Sequence, residues 1–183
     1  ITYTQDLKEA TTKIDAYHNS LTSKLKTQDS KNLKEEDVAN WVITSEHVSS
    51  TSGVHHIYYR QTVNDIEIYG AEASIHIASN GEVVSKNNSF IGDVSNKVKG
   101  GKSPSLTPLQ AVAAAAGHSN YRISENLKVL DVVDVKKQEY IISKGGISST
   151  DIPVKLMYQQ NKQGDVVLVW SLAIDDIQGR NYF

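Results

Sequence analysis

The sequence predicts an α+β protein built from two subdomains, each with a helix laid on an antiparallel sheet. Each half begins with a helical pattern, in which apolar residues recur at steps of three and four. Runs of alternating apolar and polar residues then follow, separated by turn-forming residues. A stretch rich in Gly, Ser and Lys divides the halves, so we predict subdomains at 1–91 and 106–183 joined by a linker at 92–105.

Composition excludes several classes of function. The 183 residues include 19 Lys and Arg against 21 Asp and Glu, which gives a net charge of −2, and no Cys. Disulfides, thiolate zinc sites and cysteine nucleophiles are therefore excluded. The near-neutral charge and the lack of a basic run argue against nucleic acid or a membrane surface as a partner. No apolar run reaches the roughly 18 residues that a transmembrane helix needs.

The first half predicts two helices and four strands. One apolar stripe marks a helix over residues 4–28, and an acidic segment at 33–39 predicts a second, shorter helix. The predicted strands are 41–48, 54–62, 66–78 and 82–90. Asn64-Asp65 and Asn80-Gly81 suit the tight turns of an antiparallel meander. Apolar residues of the third strand change from even to odd positions near Gly70, which predicts a β-bulge there.

The second half opens with a strongly marked helix. Thr107 is a predicted N-cap, Pro108 occupies the first helical position, and Gln110 completes a capping box. Four strands are predicted to follow, at 127–133, 138–143, 152–159 and 166–174.

No catalytic motif is recognisable in the sequence. His56 and His76 can meet across neighbouring strands, and Glu72 shares a face with His76, so a metal site of two His and one carboxylate is one hypothesis. A half-buried His pair satisfied by its neighbours is the favoured interpretation. Arg60 and Gln61 are interpreted as structural groups that satisfy the end of a strand, rather than as ligands for a carboxylate or a peptide.

The segment 53–90 resembles the propeptide module shared by fungalysin and thermolysin metalloproteases. The residues that carry this resemblance are Gly53, His56, Tyr58, Gln61, Ile66, Ile68, Ala71, Asn80 and Gly81. Asp65 departs from the pattern, which usually has Gly there, although Asp also accepts turn geometry. The second half is similar to the PepSY-like part of the same pro-regions, and the two subdomains are expected to be cystatin-like.

The resemblance implies the pro-region of a secreted zinc endopeptidase, which acts as an intramolecular chaperone and as an inhibitor of the attached catalytic domain. That domain would be the partner, and it would hold the catalytic zinc after Phe183, so no cofactor and no catalytic residue are expected in this chain. The location would be extracellular, or periplasmic in transit. We expect the tail to contact the protease, with a cut near its Gly-Arg pair, through Ile174, Asp175, Asp176, Ile177, Gln178, Gly179 and Arg180.

Two other functions stay open from the sequence. One is a free-standing secreted or periplasmic module that binds or inhibits proteins with no enzyme attached. The other, ranked far behind, is an enzyme or metal binder that uses the His56, His76 and Glu72 set.

Overall fold

A computed structural model describes residues 33–175. It is a mixed α and β structure in which strands of a large sheet predominate over a few short helices. The chain divides into two compact units, and the residues of one strand, Ile66–Ile77, are divided between them. Unit 1 comprises residues 1–63 and 70–97, and unit 2 comprises residues 64–69 and 98–183. The predicted helix over 4–28 lies outside the described residues.

The described residues of unit 1 contribute to four strands and two short helices. Helix α1 (Glu35–Ala39) precedes strands β1 (Trp41–Val48), β2 (His55–Val63), β3 (Ile66–Ile77) and β4 (Val83–Asn88), and helix α2 (Val94–Lys97) follows them. The strand order is β1-β2-β3-β4, with antiparallel pairing of β1 to β2 and of β3 to β4. The four predicted strands of the first half are therefore confirmed to within three residues at each end.

The turns of unit 1 form at the positions that the sequence predicts. Asn64 and Asp65, between β2 and β3, have φ angles of 55° and 66°, which short polar side chains tolerate. At the β3–β4 turn, Gly81 has a φ of 87° and donates its N–H to the Ala78 carbonyl at 2.8 Å. Each turn reverses the chain tightly, so consecutive strands lie side by side.

Strand β3 exchanges its buried face at Gly70. Ile66 and Ile68 are buried before this point, and Ala71 and Ala73 are buried after it. Gly70 has a φ of 77°, and nothing lies within 4 Å of the position that a Cβ would occupy. A left-handed residue shifts the pleat by one position, so the predicted change of face is confirmed.

The core of unit 1 is apolar and lies under α1. Its buried members are Val38, Ile57, Tyr59, Ala73, Ile75 and Phe90. Trp41 contacts Tyr59 edge to face, with ring centroids 5.1 Å apart, and thereby covers one side of the core. Strand β2 supplies Ile57 and Tyr59 from alternate positions, as expected for a strand with one buried face.

Unit 2 contains helix α3 (Pro108–His118) and strands β5 (Val98–Lys99), β6 (Val129–Asp134), β7 (Glu139–Ile142), β8 (Ile152–Gln160) and β9 (Val166–Leu172). β8 pairs antiparallel with β7 and with β9, and β6 pairs antiparallel with β7. The first residues of β3 add a short parallel pairing, Ile68 with Tyr158. β5 pairs parallel with β9, although its residues fall in the stretch predicted as a linker.

Helix α3 begins as predicted. The Thr107 hydroxyl accepts from the Gln110 N–H at 3.3 Å, and the Gln110 side chain accepts from the Thr107 N–H at 2.9 Å. Val112 and Ala116 face the buried Ile142, Ile152 and Val154 of the sheet. Two orphan N–H groups are thus satisfied, and an apolar stripe is buried.

Two features of unit 2 are not evident from the sequence. The Lys155 ammonium lies 2.6 Å from Glu67 Oε1 and 2.7 Å from Glu139 Oε1. Burial alone would lower the pKa of Lys155, but hydrogen bonds to the two carboxylates raise it above its ordinary value. At Gly146, with a φ of 70°, an added Cβ would lie 1.9 Å from Ser124 Oγ. At each of these two places, segments that are distant in sequence come into close contact.

Candidate functional site

Gln61 joins two segments at the buried centre of unit 1. Its side chain is fully buried, and its Nε2 donates to the Asp37 carbonyl at 2.8 Å and to the Ile91 carbonyl at 3.0 Å. Its Oε1 accepts from the Ile91 N–H at 2.8 Å. A primary amide can donate twice and accept at the same time, which explains Gln at this position. These bonds satisfy backbone groups of α1 and of the segment after β4, which supports a structural role for Gln61.

The second buried polar group of the same centre is the Asp37 carboxylate. It is fully buried and accepts the backbone N–H groups of Lys34, Asp93 and Val94, each at 2.8 Å. The first of these bonds caps α1, and the third holds the beginning of α2. The burial of Asp37 and its bonds to three N–H groups were not predicted from the sequence. An acidic residue at the third position of a helix indicates such a cap, because its side chain can reach back to the N–H group of the residue before the helix.

Arg60 also has a structural partner. Its Nη2 lies 2.7 Å and its Nε 3.2 Å from Glu72 Oε1, so β2 and β3 are linked by an ion pair at the surface. Glu72 is thereby directed at a guanidinium rather than at His76. The carboxylate of the hypothetical metal set is therefore engaged elsewhere.

The predicted meeting of His56 and His76 is confirmed. Their Nδ1 atoms are 2.7 Å apart, which is a hydrogen bond in which one ring donates and the other accepts. His47 stacks on His56, with ring centroids 4.9 Å apart, and Tyr58 contacts both His47 and His76. We call these four residues, on β1, β2 and β3, the histidine cluster. It forms an aromatic surface that contains one hydrogen bond between two rings.

The histidine cluster disfavours positive charge. Partial burial lowers the pKa of His56, and the neighbouring rings of His76, His47 and His55 lower it further. His55 lies on the opposite face of β2, where its Nε2 is 2.8 Å from Glu46 Oε1. Protonation of the His56 ring is therefore disfavoured in the folded chain.

Within residues 33–175, no group of three or more His, Asp or Glu side chains is arranged to hold a metal ion. The metal hypothesis for His56, His76 and Glu72 is thus without geometric support.

The other residues of the quoted pattern have identifiable positions. Gly53, with a φ of 66°, closes the β1–β2 turn by donating to the Ser49 carbonyl at 2.9 Å. Asn80 Oδ1 accepts from the Glu82 N–H at 3.0 Å beside Gly81. The buried members lie in β3, and they are Ile66, Ile68 and Ala71. Most of the pattern therefore specifies turns and core, and His56 and Tyr58 are its two members in the histidine cluster.

The beginning of the predicted contact tail is anchored in unit 2. Asp175, the last described residue, accepts through its carbonyl from the Ser149 N–H at 2.8 Å, and its N–H donates to Ser148 Oγ at 3.1 Å. Its carboxylate accepts from the Thr150 hydroxyl at 2.6 Å. Ile174 packs against the core of unit 2. The predicted contacts at 176–180 lie outside the described residues.

In the described part of the chain, every helix is too short or too polar to cross a lipid bilayer.

Comparison with known proteins supports the sequence resemblance. Residues 39–90 match the Fungalysin/Thermolysin Propeptide Motif. The chain is 28% identical over 139 residues to extracellular metalloproteinase 10 of Uncinocarpus reesii, a match that covers 75% of this chain and 22% of the relative. It is 26% identical over 134 residues to extracellular metalloproteinase 5 of Arthroderma otae, covering 73% of this chain and 21% of the relative. The resemblance to fungalysin-type pro-regions is thus confirmed.

The similarity is confined to a propeptide-sized part of those enzymes. The chain spans about a fifth of the length of the curated relatives that it matches. The match to extracellular metalloproteinase 3 of Trichophyton rubrum, 24% identical over 135 residues, covers 21% of that protein. This chain therefore aligns with one region of those longer metalloproteinases.

Proposed function

We propose that this chain, which carries a fungalysin/thermolysin propeptide motif over residues 39–90, is the pro-region of a secreted zinc metalloendopeptidase. In this role it assists the folding of the catalytic domain and holds that domain inactive until it is cleaved off. The observation that carries the proposal is the match of three quarters of the chain to about one fifth of extracellular metalloproteinases.

The geometry supports a binding role rather than a catalytic one. Two polar side chains buried in the described part of unit 1, Asp37 and Gln61, are engaged with backbone atoms and thus serve the scaffold. The chain would then contribute shape and contacts, and the catalytic zinc would belong to the protease domain. A pro-region that is already folded can act as a template, because it pays little ordering entropy when it binds.

Latency follows from covalent attachment. A pro-region in the same polypeptide as the enzyme experiences an effective concentration in the millimolar range for a short flexible linker, so contacts of modest affinity suffice. Cleavage of the connection reduces this concentration to that of free solution, and the inhibitor dissociates by mass action.

The tail that follows Asp175 is the proposed inhibitory segment. The three hydrogen bonds of Asp175 fix the position of the residue at which this segment begins. A fixed starting point lowers the entropy that the tail loses on entering the substrate cleft. We further propose that both units are cystatin-like, with α3 as the helix of unit 2.

A refolding experiment tests the chaperone role. The catalytic domain of the natural precursor is denatured and then diluted with or without an equimolar amount of this chain, and its peptidase activity is measured after the chain is digested. We expect the recovered activity to rise several-fold when the chain is present. Equal recovery with and without the chain, with full recovery of a refolded control enzyme, contradicts the proposal and favours a free-standing module.

A further inference from the structure

The outermost described strand of unit 2 exposes an unusual number of large apolar side chains. Among residues 33–175, β6 pairs only with β7 and lies at the end of the strand order. Five side chains in and just after this strand are between 43% and 75% exposed, and we call them the β6 apolar patch: Val129, Leu130, Val132, Val133 and Val135. Contiguous exposure on this scale marks an interaction surface more often than a solvated edge.

Two β-bulges direct part of this patch outward. The register between β6 and β7 shifts between Val129 and Asp131 and again between Val132 and Asp134. The residues without a register partner are therefore Leu130 and Val133, and both are more than half exposed. Bulges re-aim side chains. Here they present apolar side chains on both faces of one edge strand.

The backbone of the same edge is poorly suited to receive another strand. Asp131 Oδ1 accepts from the Val132 N–H at 2.8 Å, and the Asp134 carboxylate accepts from the Lys136 and Lys137 N–H groups. These two carboxylates, together with the bulges, interrupt the regular row of backbone groups that strand addition requires. An occupant must consequently engage the side chains and not the edge hydrogen bonds.

We propose that the β6 apolar patch is a docking surface for the catalytic domain of the precursor, an inference that rests on the proposed function. About four fifths of the matched metalloproteinases lie outside the part that this chain matches, so a large folded partner is available in the same polypeptide. A second copy of the chain would have to bury the bulged edge against itself, where Asp131 and Asp134 of both copies would crowd together.

Paired serine variants test the docking surface. The first carries Leu130→Ser and Val133→Ser, and the control carries Val83→Ser and Val84→Ser, which replace an exposed apolar pair on β4 of unit 1. Calorimetry measures the binding of each chain to the isolated catalytic domain, and circular dichroism verifies that each chain is folded. We expect the β6 variant to bind about tenfold more weakly or worse, since two apolar contacts are lost, and the β4 control to bind like the unaltered chain.

Each other outcome contradicts the proposal in a distinguishable way. Binding of the folded β6 variant at unaltered affinity refutes the docking surface and leaves the proposed function standing. Absence of binding by the unaltered chain refutes the proposed function itself. Equal weakening by both variants shows that the contact is not specific to β6. A dimer of the unaltered chain in sedimentation, abolished by the β6 substitutions, assigns the patch to a second copy instead.

Discussion

Replacing Gln61 by Met removes three hydrogen bonds from the buried centre of unit 1 while nearly preserving side-chain volume. The lost bonds are those to the carbonyl of Asp37 and to the carbonyl and N–H of Ile91. Each such bond contributes about 1 kcal/mol net, so Gln61→Met is expected to lower the free energy of unfolding of unit 1 by about 3 kcal/mol. The size of this loss measures how strongly Gln61 holds the unit together.

Urea denaturation followed by tryptophan fluorescence measures this loss in unit 1. The chain has two Trp, and in a Trp170→Phe background the emission reports Trp41, which lies against the unit 1 core. Gln159→Met, at an exposed position of β8, is the matched control and is expected to change stability by less than about 0.5 kcal/mol. A loss for Gln61→Met no larger than that of the control would refute the bridging role.

Three further predictions concern stability and its pH dependence. Gly146→Ala is expected to destabilise the chain by about 2 kcal/mol or more, whereas Gly117→Ala, in helix α3 with open space around it, is expected to stabilise by about 0.5–1 kcal/mol, both by thermal denaturation. Lys155→Met removes a cation from the buried Glu67 and should cost about 1–3 kcal/mol below pH 10.5. Because the pKa of Lys155 is raised on folding, the stability that its charge contributes disappears as pH rises through the raised pKa. The denaturation midpoints of the unaltered chain and of the Lys155→Met variant should then converge. Because the pKa of His56 is lowered on folding, its contribution to stability is complete above about pH 6.5 and is lost on acidification, so His56→Gln should flatten the pH profile of the urea midpoint below about pH 6.5, and an unchanged profile would refute this.

Local signals in the sequence predict the elements of this fold well. The Asn64-Asp65 turn, the face change at Gly70 and the capping box of Thr107 all depend on neighbouring residues, and all are confirmed. Such features follow from backbone dihedral preferences and side-chain periodicity, which are visible within a window of a few residues.

Pairings between distant segments were not predictable in the same way. The parallel pairing of β5 with β9 places residues 98–99 in a sheet, although Gly and Lys suggested a linker over 92–105. The two bulges of β6 likewise depend on its register with β7, which a period of two does not encode. The division at residues 92–105 stays a prediction from composition.

The candidate site was predicted in part for the same reason. The contact of His56 with His76 followed from the expected order of strands, whereas the pairing of Glu72 with Arg60 depended on side-chain geometry. Asp37 belongs to the acidic segment that predicts α1, yet it is fully buried, and three backbone N–H groups converge on its carboxylate. No local pattern indicates that Asp93 and Val94 fold back onto α1.

Titration of the catalytic domain with this chain tests the central claim most directly. The domain, freed of its pro-region, is mixed with increasing amounts of the chain under conditions that limit digestion, and its initial rate of peptide hydrolysis is recorded. If the chain is the pro-region of this enzyme, the rate falls towards zero as the chain approaches saturation. A rate that stays constant at a large excess of intact chain would contradict the account.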